Sequence, residues 1–181
     1  MVISNFIKLL KITGVQNVCI SPGLRNTAIS LPFINNRFHC YSILDERASA
    51  YLALGMALKT KTASVLICTS GTATANYLPA IIEASQSKIP LIIITADRPK
   101  ESLNNGENQT INQKNIYGNF VRSSLSFNEN DDTINKIQDS LKFIDMKNSG
   151  TTIGPIHFNI HLPDFNLKHK IKTNEAPLNN A

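Results

Sequence analysis

A chain of 181 residues with 42% hydrophobic residues is long enough for one α/β domain with a full core, and too short for two ordinary domains. The formal charge is +5, but the basic residues form no stripe along the chain, and the sequence contains no Trp. Both observations argue against a nucleic-acid partner. No continuous apolar region of a signal peptide and no run near the ~20 residues of a membrane span is found, so we expect a cytoplasmic protein that does not bind membranes.

Helix-like and strand-like apolar patterns alternate along the chain. The first segment has apolar residues at helical spacing and ends at Gly14, which predicts a helix over residues 3–13. The predicted strands are 17–21, 38–44, 63–69, 90–95, 120–127 and 155–162. Four more helices are predicted. The first begins at Asn26 or Thr27 and ends near Phe33, and the second begins at Glu46. The third covers 73–85 with a kink at Pro79, and the fourth is one long helix over 131–146.

This alternation predicts an α/β fold, namely a doubly wound, six-stranded parallel sheet with helices on both faces. Ligands bind to such sheets at the carboxyl ends of the strands. Most polar clusters of the sequence fall there, at residues 21–27, 46, 70–72, 98 and 108–109. The polar segment 100–119 has no clean period, and a loop of roughly twenty residues in an ordered domain usually has a function.

The three cysteines, Cys19, Cys40 and Cys68, each lie in an apolar strand-like run. Their odd number and the absence of metal-ligand spacing indicate reduced core residues. His157 and His161 lie on a predicted strand without an acidic or sulfur partner at a telling spacing, so we interpret them as structural residues and predict no metal site in this chain.

Glu46 stands where an apolar strand runs directly into an Ala-rich helix. A carboxylate in the first turn of a helix is favoured by the macrodipole and the unpaired backbone N–H groups, so a helix-start role is one interpretation. The other follows from the apolar setting. A carboxyl group desolvated there would have a raised pKa and would be suited to proton transfer.

Residues 70–72 (Ser-Gly-Thr) follow the third predicted strand. They could cradle a phosphate at a helix N-terminus, or they could be a tight turn in which Thr72 caps the helix. The lysine of a P-loop is missing, as is a glycine-rich dinucleotide fingerprint. Ser70 also lacks the flanking glycines of a hydrolase nucleophile elbow, which argues against a serine hydrolase.

Five short motifs are informative when taken together. In order and spacing they resemble the thiamine-diphosphate-dependent 2-succinyl-5-enolpyruvyl-6-hydroxy-3-cyclohexene-1-carboxylate synthases of menaquinone biosynthesis. The resemblance covers nearly the whole chain as far as Asn159, and it matches only the N-terminal, pyrimidine-binding domain of that family. The motifs are Ser21-Pro22-Gly23-Leu24-Arg25, Asp45-Glu46-Arg47, Thr69-Ser70-Gly71-Thr72-Ala73, Thr95-Ala96-Asp97-Arg98-Pro99 and Gly106-Glu107-Asn108-Gln109.

The resemblance implies a role for each matching residue. Glu46 contacts the ring nitrogen of the cofactor's aminopyrimidine; protonation there favours the imino tautomer, which removes the thiazolium proton and so generates the ylid. Ser70, Gly71 and Thr72 lie near the pyrimidine. The substrate is held by Arg25, Arg98, Asn108 and Gln109, and the two carboxylates of isochorismate suit such guanidinium and amide donors.

The family's reaction is a transfer in which 2-oxoglutarate is decarboxylated and its succinic-semialdehyde unit is added to isochorismate. Leu24 departs from the family's Ser-Pro-Gly-Ser-Arg and offers only its backbone N–H, so the hydroxyl group that the family has near the substrate is missing. The family's diphosphate-binding domain, which holds Mg²⁺, has no counterpart in these residues. We therefore expect a pyrimidine-binding domain at 1–163, a polar tail or linker at 164–181, and a homodimer or other homo-oligomer completed by another segment or chain.

Two other interpretations stay open. One is a different thiamine-diphosphate carboligase or decarboxylase of the acetolactate synthase type, which would share the glutamate but not the set formed by Arg98, Asn108 and Gln109. The other is a non-catalytic dimerisation domain. Apolar side chains filling the strand ends would favour that second alternative.

Overall fold

The protein is described by a computed structural model that covers residues 2–103, 105–147 and 152–163. Six strands form one sheet in which every neighbouring pair is parallel, in the order β2-β1-β3-β4-β6-β5 when numbered along the chain. The strands are β1 (Asn17–Ile20), β2 (His39–Ser42), β3 (Ser64–Cys68), β4 (Leu91–Asp97), β5 (Ser123–Asn128) and β6 (Ile156–His161). The predicted six-stranded parallel sheet is confirmed.

Helices cover both faces of the sheet, as predicted. On one face α1, α2 and α6 pack against inward-facing Val, Ile and Phe side chains, and on the other face α3, α4 and α5 pack with small Ala side chains against the sheet. The helices are α1 (Val2–Ile12), α2 (Thr27–Asn35), α3 (Glu46–Thr60), α4 (Thr72–Asn76), α5 (Leu78–Gln86) and α6 (Ile134–Leu141). Strands β1, β3, β4 and β6 are buried along their whole length, which explains the mostly apolar sequences of β1, β3 and β4.

Two helices differ in detail from the prediction. The predicted helix over 73–85 is two helices separated at Tyr77, and the break falls just before Pro79, whose ring disfavours a continuous helix. The predicted long helix 131–146 contains only α6 and a following 3₁₀ turn. It begins later because the Asp131 carboxylate accepts a hydrogen bond from the Asn128 backbone N–H at 2.8 Å, which folds this segment into a turn.

The cysteines are unpaired, and two of them belong to the core. Cys19 and Cys68 are buried, whereas Cys40 lies half-buried on β2, an edge strand. Burial raises the pKa of Cys19 to about 11 and raises the pKa of the Cys68 thiol as well. Among the residues described, no helix has both the length and the apolar character needed to cross a bilayer.

Candidate cofactor and substrate site

The strand order reverses between β1 and β3, the position at which open α/β sheets bind ligands. The turns that follow these strands touch there, since a Cβ on Gly23 would lie 2.6 Å from the Thr69 Cβ. Asn26 shapes the first turn by accepting from the Gly23 N–H at 3.0 Å and donating to the Ser21 carbonyl at 2.8 Å. Asn26 occupies the N-cap position of α2 without a side-chain cap bond, because its side chain is used in this turn.

Glu46 is the first residue of α3, but the cap of that helix is its neighbour. Asp45 Oδ1 accepts from the Ala48 backbone N–H at 2.7 Å, the geometry of an N-cap. The half-buried Glu46 instead accepts a hydrogen bond at Oε2 from Asn76 Nδ2 of α4 at 3.2 Å. The two acids at this helix start are therefore used differently, and Glu46 lies beside the short helix that follows the turn after β3.

Gly71 shapes that turn. Its φ of +85° and ψ of −147° define a conformation that is essentially restricted to glycine. A Cβ at this position would lie 3.0 Å from backbone atoms of Gln109. Gly71 is also the N-cap of α4, while Thr72 is exposed and no side chain caps the helix. The alternative in which Thr72 caps the helix is wrong, because the chain enters α4 through the glycine.

Arg98 leaves the carboxyl end of β4 and contacts the polar loop. Its Nε donates to the Asn108 carbonyl at 3.1 Å, and its guanidinium forms an ion pair with Glu107. Its side chain is 17% exposed and that of Glu107 is 38% exposed. Because Gln109 packs over Gly71, the structure brings Arg98, Asn108, Gln109 and the Gly71 turn into one region.

Arg25 and Leu24 lie in the turn after β1, on the far side of β3 from β4. Two strand spacings separate β1 from β4, or about 10 Å. Arg25 is half-buried, and the Leu24 side chain is 64% exposed. Arg25 thus lies at the carboxyl ends of the strands, as Arg98 does, but it follows β1 whereas Arg98 follows β4.

Sequence reasoning missed a buried polar cluster beneath Arg98. Its members are Asp97, Gln113, Ser126, Asn159 and His161, of which Asp97, Gln113 and Asn159 are each 1% exposed. The pattern of β6 could have indicated it, since residues 157, 159 and 161 are polar and alternate with Ile156, Phe158 and Ile160 in a strand buried throughout.

The two histidines of β6 are bound to neighbouring strands. His157 Nε2 lies 2.8 Å from the Thr95 hydroxyl, and His161 Nε2 lies 3.0 Å from Ser126 Oγ. Burial lowers the pKa of His157 to about 3, so this imidazole is neutral at ordinary pH. In the described part of the chain, no three or more His, Cys, Asp or Glu side chains are grouped as metal ligands.

Comparison with known families agrees with this geometry. Residues 2–116 match the family described as "Thiamine pyrophosphate enzyme, N-terminal TPP binding domain". The chain therefore belongs to the thiamine pyrophosphate enzymes, and it carries the N-terminal domain of that family. The carboxyl ends of β1 to β4, the helix start at Glu46 and the turn at Gly71 lie within the matched residues, whereas β5 and β6 follow them.

Within this family, the chain is similar to curated proteins named 2-succinyl-5-enolpyruvyl-6-hydroxy-3-cyclohexene-1-carboxylate synthase. The protein of Haloquadratum walsbyi is 43% identical over 85% of this chain and 26% of its own length. That of Flavobacterium psychrophilum is 40% identical over 86% of this chain and 28% of its own length. That of Lysinibacillus sphaericus is 39% identical over 93% of this chain and 32% of its own length. The chain thus spans between about a quarter and a third of these relatives.

Proposed function

We propose that this chain is the pyrimidine-binding domain of a transferase that decarboxylates 2-oxoglutarate and adds the resulting four-carbon unit to isochorismate, in menaquinone biosynthesis. The observation that carries the proposal is the division of roles at the start of α3. Asp45 caps the helix, so Glu46 is not needed as a cap and its carboxylate is directed to the turn-and-helix element after β3. The names of the similar curated proteins support the choice of reaction.

Glu46 is the proposed catalytic residue, and Ser70, Gly71 and Thr72 are the proposed cofactor-binding residues. When bound, thiamine diphosphate supplies the carbon nucleophile needed to decarboxylate a 2-oxo acid and pass on the remaining acyl unit. Glu46 would hold a proton for the pyrimidine ring at Oε1, while Asn76 keeps Oε2 in place. Gly71 permits the close approach of the Gln109 backbone, which brings the loop of the proposed substrate residues against this turn.

Arg25, Arg98, Asn108 and Gln109 are the proposed substrate-binding residues. The Arg98 guanidinium is held by the loop through the Asn108 carbonyl and Glu107. An incoming carboxylate would compete with Glu107 for this guanidinium, because both are anions that suit its planar donors. The polar loop would thereby hold Arg98 ready until the dianionic substrate arrives.

A diphosphate-binding domain with its Mg²⁺ site is proposed to lie in another segment or chain, in a homo-oligomer. The outer side of α3 is unusually apolar for a surface, with Tyr51, Leu52 and Leu58 exposed by 46%, 42% and 53% and Leu44 before it by 83%. Such an exposed apolar surface favours a protein interface. A partner packed there would also remove water from Glu46, the first residue of the same helix. A cytoplasmic location is supported by the three unpaired cysteines.

The test of the proposal is Glu46→Gln in the enzyme completed with its diphosphate-binding domain. Glutamine nearly preserves the shape and can still pair with Asn76, but it has no ionisable carboxyl group. We expect exchange of the thiazolium proton to slow by at least about a hundredfold with folding retained. Asp45→Asn, which keeps a capping oxygen, is the matched control and should exchange normally. Unchanged exchange in Glu46→Gln would return Glu46 to a helix-start role.

The 181-residue chain alone should be catalytically silent and should bind the cofactor only in about the millimolar range, equivalent to about 4 kcal/mol. Micromolar binding in calorimetry with Mg²⁺ would contradict this domain assignment. We also expect the chain to self-associate through α3, so Leu52→Glu should lower its mass in sedimentation experiments. Ile34→Glu, at a side chain 51% exposed on α2, should leave the mass unchanged.

The main proposal is favoured over both alternatives. An acetolactate synthase type enzyme lacks the set of Arg98, Asn108 and Gln109, and the similar curated proteins carry the synthase name. A non-catalytic dimerisation domain would have its strand ends filled with apolar side chains. Here that edge carries Glu46, Asp97 and Arg98 and their hydrogen-bonding partners.

A further inference from the structure

Gln113 joins three separate parts of the candidate site. Its Oε1 accepts a hydrogen bond from the Gly71 backbone N–H at 2.8 Å. Its Nε2 donates to the Ala96 carbonyl at 3.1 Å and to Asn159 Oδ1 at 2.7 Å. The residue is 1% exposed, so these bonds are shielded from water. One side-chain amide therefore connects the turn after β3 with β4 and β6.

Asn159 continues this connection to the start of the arginine. Its Nδ2 donates to Asp97 Oδ2 at 2.8 Å, and Asp97 Oδ1 accepts from the Arg98 backbone N–H at 2.8 Å. The orientation of the Asn159 amide is determined by its neighbours. If it were flipped, its oxygen would face the Asp97 carboxylate and its nitrogen would face Gln113 Nε2.

The carbonyl group of Arg98 is held by the same cluster. His161 Nδ1 lies 2.7 Å from this carbonyl oxygen, and because a carbonyl can only accept, the proton is on Nδ1. The other ring nitrogen, Nε2, lies 3.0 Å from the Ser126 hydroxyl oxygen. Ser126 Oγ in turn accepts from Asn159 Nδ2 at 3.1 Å. Hydrogen bonds thus connect both backbone groups of Arg98 to Asn159. The N–H group is connected through Asp97, and the C=O group through His161 and Ser126.

We propose that Gln113 is a positioning residue which, through Asn159 and Asp97, holds Arg98 in register with the Gly71 turn. A buried network whose members are all satisfied is rigid and specifies one geometry. The proposal rests on the proposed function in one respect: Gly71 is there assigned to the cofactor and Arg98 to the substrate. Gln113 would then set the spacing between cofactor and substrate, and small errors in such spacing are costly in catalysis.

The connection itself is tested on the 181-residue chain by amide hydrogen exchange, without any ligand. Gln113→Glu keeps the oxygen that accepts from Gly71 but loses both donors, and Asn159 cannot compensate without breaking its bond to Asp97. We expect the Gly71 amide to stay protected and the Arg98 amide to exchange about tenfold faster. Gln113→Met, which adds no buried charge, should speed exchange at both amides.

Tyr117→Phe is the matched control. Tyr117 follows Gln113 in the same loop, is 1% exposed, and donates a buried hydrogen bond to the Thr74 carbonyl at 2.8 Å. Its loss should cost comparable stability without affecting Arg98. Unchanged Arg98 exchange in both Gln113 variants would overturn the proposal, as would equal acceleration in Tyr117→Phe, because the effect would then be one of general stability.

The catalytic consequence is measured in the completed enzyme. Gln113→Met should raise the KM for isochorismate about tenfold and have little further effect when combined with Arg98→Ala, since it acts through that residue. Faster Arg98 exchange together with an unchanged KM would uphold the connection and refute the substrate role of Arg98. An equal effect in the Arg98→Ala background would overturn the positioning role.

Discussion

Gly71→Ala tests the turn that holds the proposed cofactor-binding residues. Two features of the structure oppose any side chain there. The backbone conformation, with φ +85° and ψ −147°, is strained for every residue except glycine. In addition, the new Cβ would lie 3.0 Å from the backbone of Gln109, so Gln109 would have to move.

The two terms can be added approximately. A non-glycine residue in such a conformation costs about 1–3 kcal/mol, and forcing an extra carbon into a packed contact costs typically 1–3 kcal/mol. Partial relaxation lets the chain avoid the largest values of both. We therefore expect Gly71→Ala to lower the free energy of unfolding by about 2–4 kcal/mol.

Urea denaturation of the 181-residue chain measures this loss. With an m-value of about 2 kcal/mol/M, the midpoint should fall by about 1–2 M with no change in slope. Gly55→Ala is the matched control: Gly55 is exposed on α3, and nothing lies within 4 Å of the added Cβ. It should raise stability by about 0.5–1 kcal/mol. A loss below about 0.5 kcal/mol for Gly71→Ala would refute the reasoning, since ordinary surface substitutions reach that size.

Three further predictions follow from the site and the core. Arg98→Ala in the completed enzyme should weaken isochorismate use far more than decarboxylation of 2-oxoglutarate, because a carboxylate partner is lost; equal losses in both half-reactions would contradict the substrate role. Asp45→Ala should cost about 1 kcal/mol in urea denaturation through loss of the α3 cap, with Asp45→Asn close to wild type. In thiol titration at pH 8, Cys40 should react first, and Cys68 should react only upon unfolding because it is buried; equal rates for the two thiols would contradict the packing.

The sequence alone was sufficient for the features that depend on local pattern. Buried apolar strands alternating with helices led to the parallel sheet, because burial on both faces removes the polar alternation of an exposed sheet. Pro79 indicated a kink in the predicted helix 73–85, where the structure has two helices separated at Tyr77. The ordered motifs led to the N-terminal domain of a thiamine-diphosphate enzyme, and the comparison confirms this family. The division of 1–163 from 164–181 stays a prediction, since the latter segment lies outside the described residues.

Tertiary structure decided which of these local features meet. Strand β6 inserts between β4 and β5, and no local pattern specifies that order, which results from packing and crossover geometry. This order places Asn159 beside Asp97 and Gln113, and the loop after β4 then brings Gln113 and Gln109 onto Gly71. Tertiary structure also decided the roles of the two acids at the start of α3. Asp45 caps the helix, whereas Glu46 contacts Asn76 of another helix. Residue types are properties of the sequence, but the partners of Gln113 and Asn159 lie far away along the chain and are brought to them only when the sheet forms.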